Sequence, residues 1–435
     1  MTSFRKICLA LCGLALANSL AGLAMGNAAL AGAAGAVAAA ALPVGIGAIP
    51  ALRGFQFTAW IVFAVVVPLI YPQAFLSPRL TESLTIDFKN RWAVLVIIQL
   101  VMFGMGTRMS LRDFAGVVRM PHGVIVGLVC QFTIMPLVGF TLARLLGFPP
   151  EIGAGLVLIG ACSSGLASNV MAHMGRLNLP LSITLTACAT ALAPFVTPFW
   201  LSKLGTQVGG ESSQFDFVTA MMSVFKIVVA PIGAALVHDY LKRAGSSGRR
   251  VVHLVAAVAL AWLAALVKIG WPAIQEAVQA PAMLNLVAVA GFLLAAALAG
   301  TVYHHLSRSL PGLDRFMPVF SMFGIIYFTA IATATGRSEL LTVGLLLCVA
   351  AVLHNSIGYV LGYWLSRAMG LKRNDARTVA MEVGMQNGGM AFGIASDLGK
   401  LATLGLAAAI FSPWMNVSGS ILANYWKRHR PDDDD

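Results

Sequence analysis

Residues 382–393 read EVGMQNGGMAFG, one carboxylate and two amides among glycines, in a run otherwise apolar from about Val379 to Ala395. A carboxylate in such surroundings needs a compensating partner and is functional by default: it carries a proton or it holds a cation. Gln386 follows Glu382 by four residues and shares its helix face, while Gly384, Gly388 and Gly389 make a break in a helix cheap. Such a break frees backbone carbonyls that suit a hard cation, and its half-helix N-termini suit an anion. A second polar cluster, CSSGLASN at 162–169, contributes Ser168 and Asn169: hydroxyl, amide and freed backbone oxygens in a glycine-interrupted run. Small-residue helix packing explains its Ser and Gly equally well. The next run, SITLTACAT, places Ser182 and Thr186 four apart on one face, although hydroxyls in such helices commonly bond their own backbone. Gln131 in CQFTIMP is a further amide in an apolar run.

Something must position these residues, and the composition says what. Of 435 residues, 58% are hydrophobic and 11% charged, with a mean hydropathy of +0.83; a soluble chain carries about 25% charged residues. Apolar runs at 55–71, 123–146 and 340–365 approach or exceed the roughly 20 residues that cross a bilayer as a helix, and the alternation of a β-barrel is absent. The reading is an all-α polytopic membrane protein. Spans are expected near 56–76, 92–107, 120–146, 150–174, 180–202, 217–238, 251–271, 282–305, 316–335, 338–366, 378–396 and 401–424.

The net charge of +12 does not point to nucleic acid, because Lys and Arg stand singly or in small groups between apolar runs. Alternate loops collect eighteen of them on one side and eight on the other, so the first side, which holds both ends of the twelve-span set, is expected to be cytoplasmic. The six cysteines form no CxxC pair, which argues against a disulfide framework or zinc site. The eight histidines lack any HExxH, GxSxG or paired-aspartate companion, so catalysis is not expected. His354 reads as a hydrogen-bonded packing residue. Apart from Glu382, all acidic residues fall in loops, at span ends or in the tail DDDD.

Residues 1–55 form a hydrophobic, Ala-rich extension that fits a signal peptide, an organellar transit peptide or two extra spans. With 249–312 set aside as an inserted transmembrane hairpin, ten spans remain. Five plus five gives two halves of opposite orientation, and the two interrupted spans are each the fourth of their half. Paired interruptions at corresponding places are the sequence pointer to a secondary transporter's binding site. The expected organisation is 1–55 extension, 56–248 first repeat plus the first helix of the second, 249–312 hairpin, 313–426 the rest of the second repeat, and 427–435 a charged tail.

The runs GLASNVMAHMGRLNLPLSITLTACATALAPFVTP, QFTIMP, HNSIGYVLGY and EVGMQNGGMA resemble, in order, those of the bile acid:sodium symporter family, over roughly 56–245 and 316–424. The resemblance implies a ten-helix core of two inverted five-helix repeats, with a panel domain and a core domain whose broken fourth and ninth helices cross in front of two sodium ions. One ion site would use Ser168, Asn169, Ser182, Thr186 and Glu382. The other would use Gln131, Glu382, Gln386 and the backbone of Val383 and Met385. Asn387 matches the family's substrate-facing asparagine. Where the family usually has Gly-Gly-Thr before the alanine, this chain has Ser164, Gly165 and Leu166, and a histidine of some members is Met415 here, beside Asn416. The substrate-side residues are thus Asn387, Leu166 and Asn416. The implied activity is sodium-coupled symport of an organic anion, bile-acid-like or a small carboxylate, in the inner membrane of a bacterium or an organellar envelope, with no nucleic-acid or protein partner. A proton-coupled carrier titrating Glu382 and a non-transporting anion sensor are the competing readings.

Overall fold

The computed structural model describes residues 2–76, 87–88, 90–210, 214–278 and 280–429. Arg79, Glu82, Lys89, Arg430 and the acidic tail lie outside the described residues. The chain runs through α1 Thr2–Ala24, α2 Ala28–Gly45, α3 Gln56–Ile70, α4 Arg91–Gly106, α5 Pro121–Leu145, α6 Pro150–Ala161, α7 Leu166–Gly175 and α8 Leu179–Gly209. It continues through α9 Phe217–Arg243, α10 Ser246–Ile269, α11 Pro281–Ser309, α12 Leu313–Thr335, α13 Arg337–Ala368, α14 Arg373–Gly384, α15 Gly388–Asp397 and α16 Leu406–Arg428. Among the described residues there is no β-strand, only one isolated bridge between Ser164 and Gln386.

Ten of these helices are long and apolar enough to cross a membrane, and Trp92–Gly106 with Leu111–Arg119, bent by 54°, makes an eleventh if the two count as one broken span. The chain is an integral membrane protein. Each expected span falls on a helix or a pair of half-helices, with two refinements. The span at 150–174 is divided into α6 and α7, and that at 378–396 into α14 and α15. The first expected span is a short helix that ends at Ile70, and the last begins only at Leu406.

The half-helices occupy the centre. Every residue of α6 from Ile152 to Ala161 is buried, as are Thr378–Gly384 of α14 and Gly388–Ala395 of α15. Around them stand α5, α8, α13 and α16. Glycines let these helices approach closely, as small residues do between membrane helices. A Cβ on Gly155 would lie 2.5 Å from the Leu404 carbonyl oxygen, and one on Gly160 2.5 Å from that of Met135. His354 fills the adjoining space with its Nε2 donating to the Met135 carbonyl at 2.8 Å, which makes it the packing residue expected.

At the periphery, α1 and α2 are both long and apolar enough to span. They pack through small residues, with the Ser19 hydroxyl donating to the Ala31 carbonyl at 2.8 Å. The α10–α11 hairpin leans on α9: Gly300 abuts the Ala234 carbonyl, and Tyr303 donates to Asp314 at 2.9 Å, where Lys242 also pairs at 2.7 Å. Only Ala256 and Ala259 of α10 are buried, so most of that helix faces outward.

The close packing of α6 generates a test. Gly155→Ala forces its methyl onto the Leu404 carbonyl and should cost about 1–3 kcal/mol of overpacking, read as a lower melting temperature in detergent. Gly13→Ala, with nothing within 4 Å of the new methyl, should leave the melting temperature unchanged or slightly raised.

Candidate functional site

Each break begins where a half-helix runs out of helical backbone. Cys162 turns extended after Ala161, and Gly165 is extended before Leu166. Met385 turns extended after Gly384, and Asn387 starts α15 by accepting from the Met390 N–H through its own side chain at 3.0 Å. The two extended segments lie antiparallel. Gly165 N–H donates to the Met385 carbonyl at 3.2 Å, and Asn387 N–H donates to the Ser163 carbonyl at 2.8 Å. Unwound backbone is tolerated at membrane depth only where protein satisfies it, and here each break satisfies the other.

The carbonyls left at the half-helix ends have side-chain partners. Thr197 of α8 donates to the Ala161 carbonyl at 2.7 Å, Gln131 of α5 to Cys162 at 3.1 Å, and Asn355 of α13 to Gly384 at 2.7 Å. Asn355 in turn accepts from Ser418 at 2.6 Å. Composition and spacing alone do not mark Asn355 and Thr197. Asn355 lies in the quoted HNSIGYVLGY run, and its polar amide in an apolar span was the available signal; Thr197 gave none beyond being a hydroxyl.

Glu382, 2% exposed, points across the break toward α7 and α8. Its Oε1 accepts from the Ser182 hydroxyl and its Oε2 from Thr186 at 2.9 Å. The same two hydroxyls reach Asn169 Oδ1, at 2.7 Å and 3.2 Å. The Ser164 hydroxyl donates to Thr186 Oγ1 at 3.3 Å, and Ser168 donates to the Gly165 carbonyl at 2.7 Å. A hydroxyl has one proton, so Ser182 and Thr186 cannot both donate to the carboxylate and to the amide oxygen. The cluster therefore holds more oxygen lone pairs than protons, around one buried carboxyl group.

A second group of oxygens lies behind the bridge. Gln131 donates to Gln386 Oε1 at 3.0 Å as well as to Cys162, and Gln386 donates to the Val383 carbonyl at 2.6 Å. Gln131 Oε1 is buried without a hydrogen-bond partner. Leaving an acceptor buried and unsatisfied costs about 1–3 kcal/mol, and a cation would remove that penalty. Both oxygens of Glu382 face the Ser182–Thr186 side, and no hydrogen bond joins it to Gln131 or Gln386 among the described residues.

The residues expected on the substrate side are less concentrated. Asn387 caps α15, Leu166 is half-buried at the first turn of α7, and Asn416 donates to the Ser412 carbonyl of its own helix at 2.7 Å. No side-chain hydrogen bond joins the three among the described residues. The Ser412 hydroxyl lies against Gly388 with no partner. Between α8 and α9 opens a cavity of about 310 Å³ whose lining includes Met109, Phe114, Thr190, Phe195 and Phe225. Thr190 links it to the break, donating to the Ser163 hydroxyl at 3.3 Å. No group of three or more His, Cys, Asp or Glu side chains suited to a transition metal occurs among the described residues.

The chain is similar to known proteins. Residues 95–271, which hold Gln131, Ser168, Asn169, Ser182 and Thr186, match the Sodium Bile acid symporter family. An uncharacterized sodium-dependent transporter of Bacillus subtilis is 29% identical over 386 residues, 88% of this chain and 94% of that protein. The matched segment makes the chain similar to that family, and the similarity to the Bacillus protein extends over most of its length. A chloroplastic protein of Oryza sativa subsp. japonica named a probable sodium/metabolite cotransporter is 27% identical over 87% of this chain and 73% of its own length. The human ileal sodium/bile acid cotransporter is 28% identical over 67% of this chain and 65% of its own length. All three of these relatives are named as transporters or cotransporters.

The Asn355 bond gives a prediction. Asn355→Ala strips the Gly384 carbonyl of its donor and should cost about 1–3 kcal/mol, visible as a lower melting temperature. Asn424→Ala, whose amide bonds only Ser420 of its own helix, should leave it near the parent value.

Proposed function

We propose that the protein is a secondary active transporter that couples sodium entry to uptake of an organic anion by alternating access. The observation that carries this reading is the Glu382 carboxyl group set against Ser182, Thr186 and the Asn169 amide oxygen, with more lone pairs than protons. A sodium ion bound there would take ligands from all four side chains and be neutralised by Glu382, and Ser168 stands at its edge. The unpartnered Gln131 oxygen, with Gln386 and the Val383 and Met385 carbonyls beside it, supports a second sodium ion behind the bridge. The relatives' sodium-dependent names support sodium over a proton as the coupling ion.

The anion would meet the half-helix end capped by Asn387 and rest its body in the cavity between α8 and α9. An apolar lining that includes Phe114, Phe195 and Phe225 supports a carboxylate with a hydrophobic body. Leu166 and Asn416 would shape the remainder of the pocket. Two sodium ions with one monovalent anion carry one net positive charge, worth about 2.3 kcal/mol per 100 mV. The moving body would comprise α5, α6–α7, α8, α13, α14–α15 and α16, sliding against α3, α4, α9 and α12 as two inverted repeats. The α10–α11 hairpin would travel with α9, and α1–α2 would add two spans to the panel side. Residence in a bacterial inner membrane or an organellar envelope fits the relatives' sources.

Uptake of labelled organic anions into proteoliposomes, with sodium replaced by potassium or by a pH gradient, tests the reading. Uptake should follow sodium and be lost in Glu382→Ala. Ser182→Ala should raise the sodium concentration for half-maximal uptake by about ten- to a hundredfold. Uptake that follows pH and ignores sodium would establish the proton-coupled carrier instead.

A further inference from the structure

Lys226 stands nine residues into α9, about 13 Å along its axis. A charge at such a depth marks function by default. Both polar ends of this residue are engaged. The helix widens to a π turn at Phe225–Val229, a distortion frequent at functional sites, and the Lys226 carbonyl accepts from Gln99 of α4 at 2.9 Å. The ammonium pairs with the carboxylate of Asp397, the last residue of α15. At its other end α15 is capped by Asn387 at the bridge. Between the two ends, Gly393 packs on Ile98 of α4 and Ile227 of α9 with no room for a side chain. The half-helix that leaves the break is therefore sealed against α4 and α9 by an apolar seam that ends in one ion pair.

The cavity lies the other way. It follows α9 from Phe225 to Leu236 and meets Met109 and Phe114, toward the end that carries Arg108, Arg112, Lys242 and Arg243. Asp397 marks the opposite end of its half-helix. Lys226 and Asp397 side chains are 29% and 20% exposed, so protein encloses neither of them fully. A fully buried pair would leave bare charges on opening, whereas a partly exposed one can part and re-form in every cycle.

We propose that Lys226 and Asp397 form the outer latch of the transport cycle, closed while the cavity is reached from the Lys- and Arg-rich side and parted when the site turns to the other. This rests on the alternating-access reading above. The two are positioning residues, since neither touches the ion cluster or the cavity.

The test joins Lys226→Cys with Asp397→Cys and links the pair with a short bifunctional thiol reagent that a reductant cleaves. Sodium-dependent uptake in proteoliposomes and sodium-dependent protection against heating are read before and after cleavage. The parent and both single variants, treated alike, account for the six native cysteines. The linked protein should keep sodium protection yet lose uptake by about tenfold or more, with recovery on reduction. Linked protein that transports as fast as reduced protein overturns the latch and makes the pair a fixed staple. A parent without sodium-dependent uptake instead sinks the carrier reading, and the latch with it. Independently, Lys226→Asp and Asp397→Lys should each slow uptake, and combining them should restore it; a combined variant no faster than the slower single one also overturns the latch.

Discussion

Two backbone hydrogen bonds between Ser163–Gly165 and Met385–Asn387 are the constraint on which the site depends. Backbone stripped of its helical partners in a membrane must find others. A single break at either place would leave N–H and C=O groups stranded; two breaks laid antiparallel satisfy each other. The pairing fixes where α7 and α15 start and where α6 and α14 stop. It thereby brings Asn169, Ser182 and Glu382, far apart in the chain, to one place. Freed backbone oxygens and half-helix N-termini are consequences of the same break, so the proposed cation site and the proposed anion-facing surface have one structural origin.

The breaks were legible because they violate the expectation of their surroundings. An apolar run with a carboxylate, two amides and three glycines within eight residues cannot be ordinary helix, and the same holds for CSSGLASN. Helix spacing then placed Ser182 and Thr186 on one face, and the structure turns that face to Glu382. The span pattern was readable for the same reason, since hydropathy in a bilayer tracks helices directly. Boundaries shifted by several residues, at Ile70 and Leu406 and also at Gly209, Arg243 and Ser246.

The supporting shell was not legible. Thr197 and Asn355 close the C-termini of α6 and α14 from 36 and 29 residues away, and nothing local distinguishes Thr197 from hydroxyls that bond their own helix, such as Thr133 or Thr329. The two closures are equivalent in role but not in kind: one uses a hydroxyl of α8, the span after the break, the other an amide of α13, the span before it. A sequence comparison of the halves would miss the equivalence, because it lies in which carbonyl is satisfied.

Placement of charge separates what can move from what cannot. Ser182, Thr186 and Glu382 bind among themselves in a fully buried cluster, which favours one arrangement and resists water. Lys226 and Asp397 are partly exposed and sit on elements that pack through an apolar seam at Gly393. Apolar seams slide at low cost because no directed bond has to break, and a partly exposed ion pair adds a preferred end point without a deep trap. A bundle with a network of directed contacts around the break, and an apolar seam between α15 and α4–α9, is arranged as the proposed cycle requires: the ion cluster would stay intact while the seam slides.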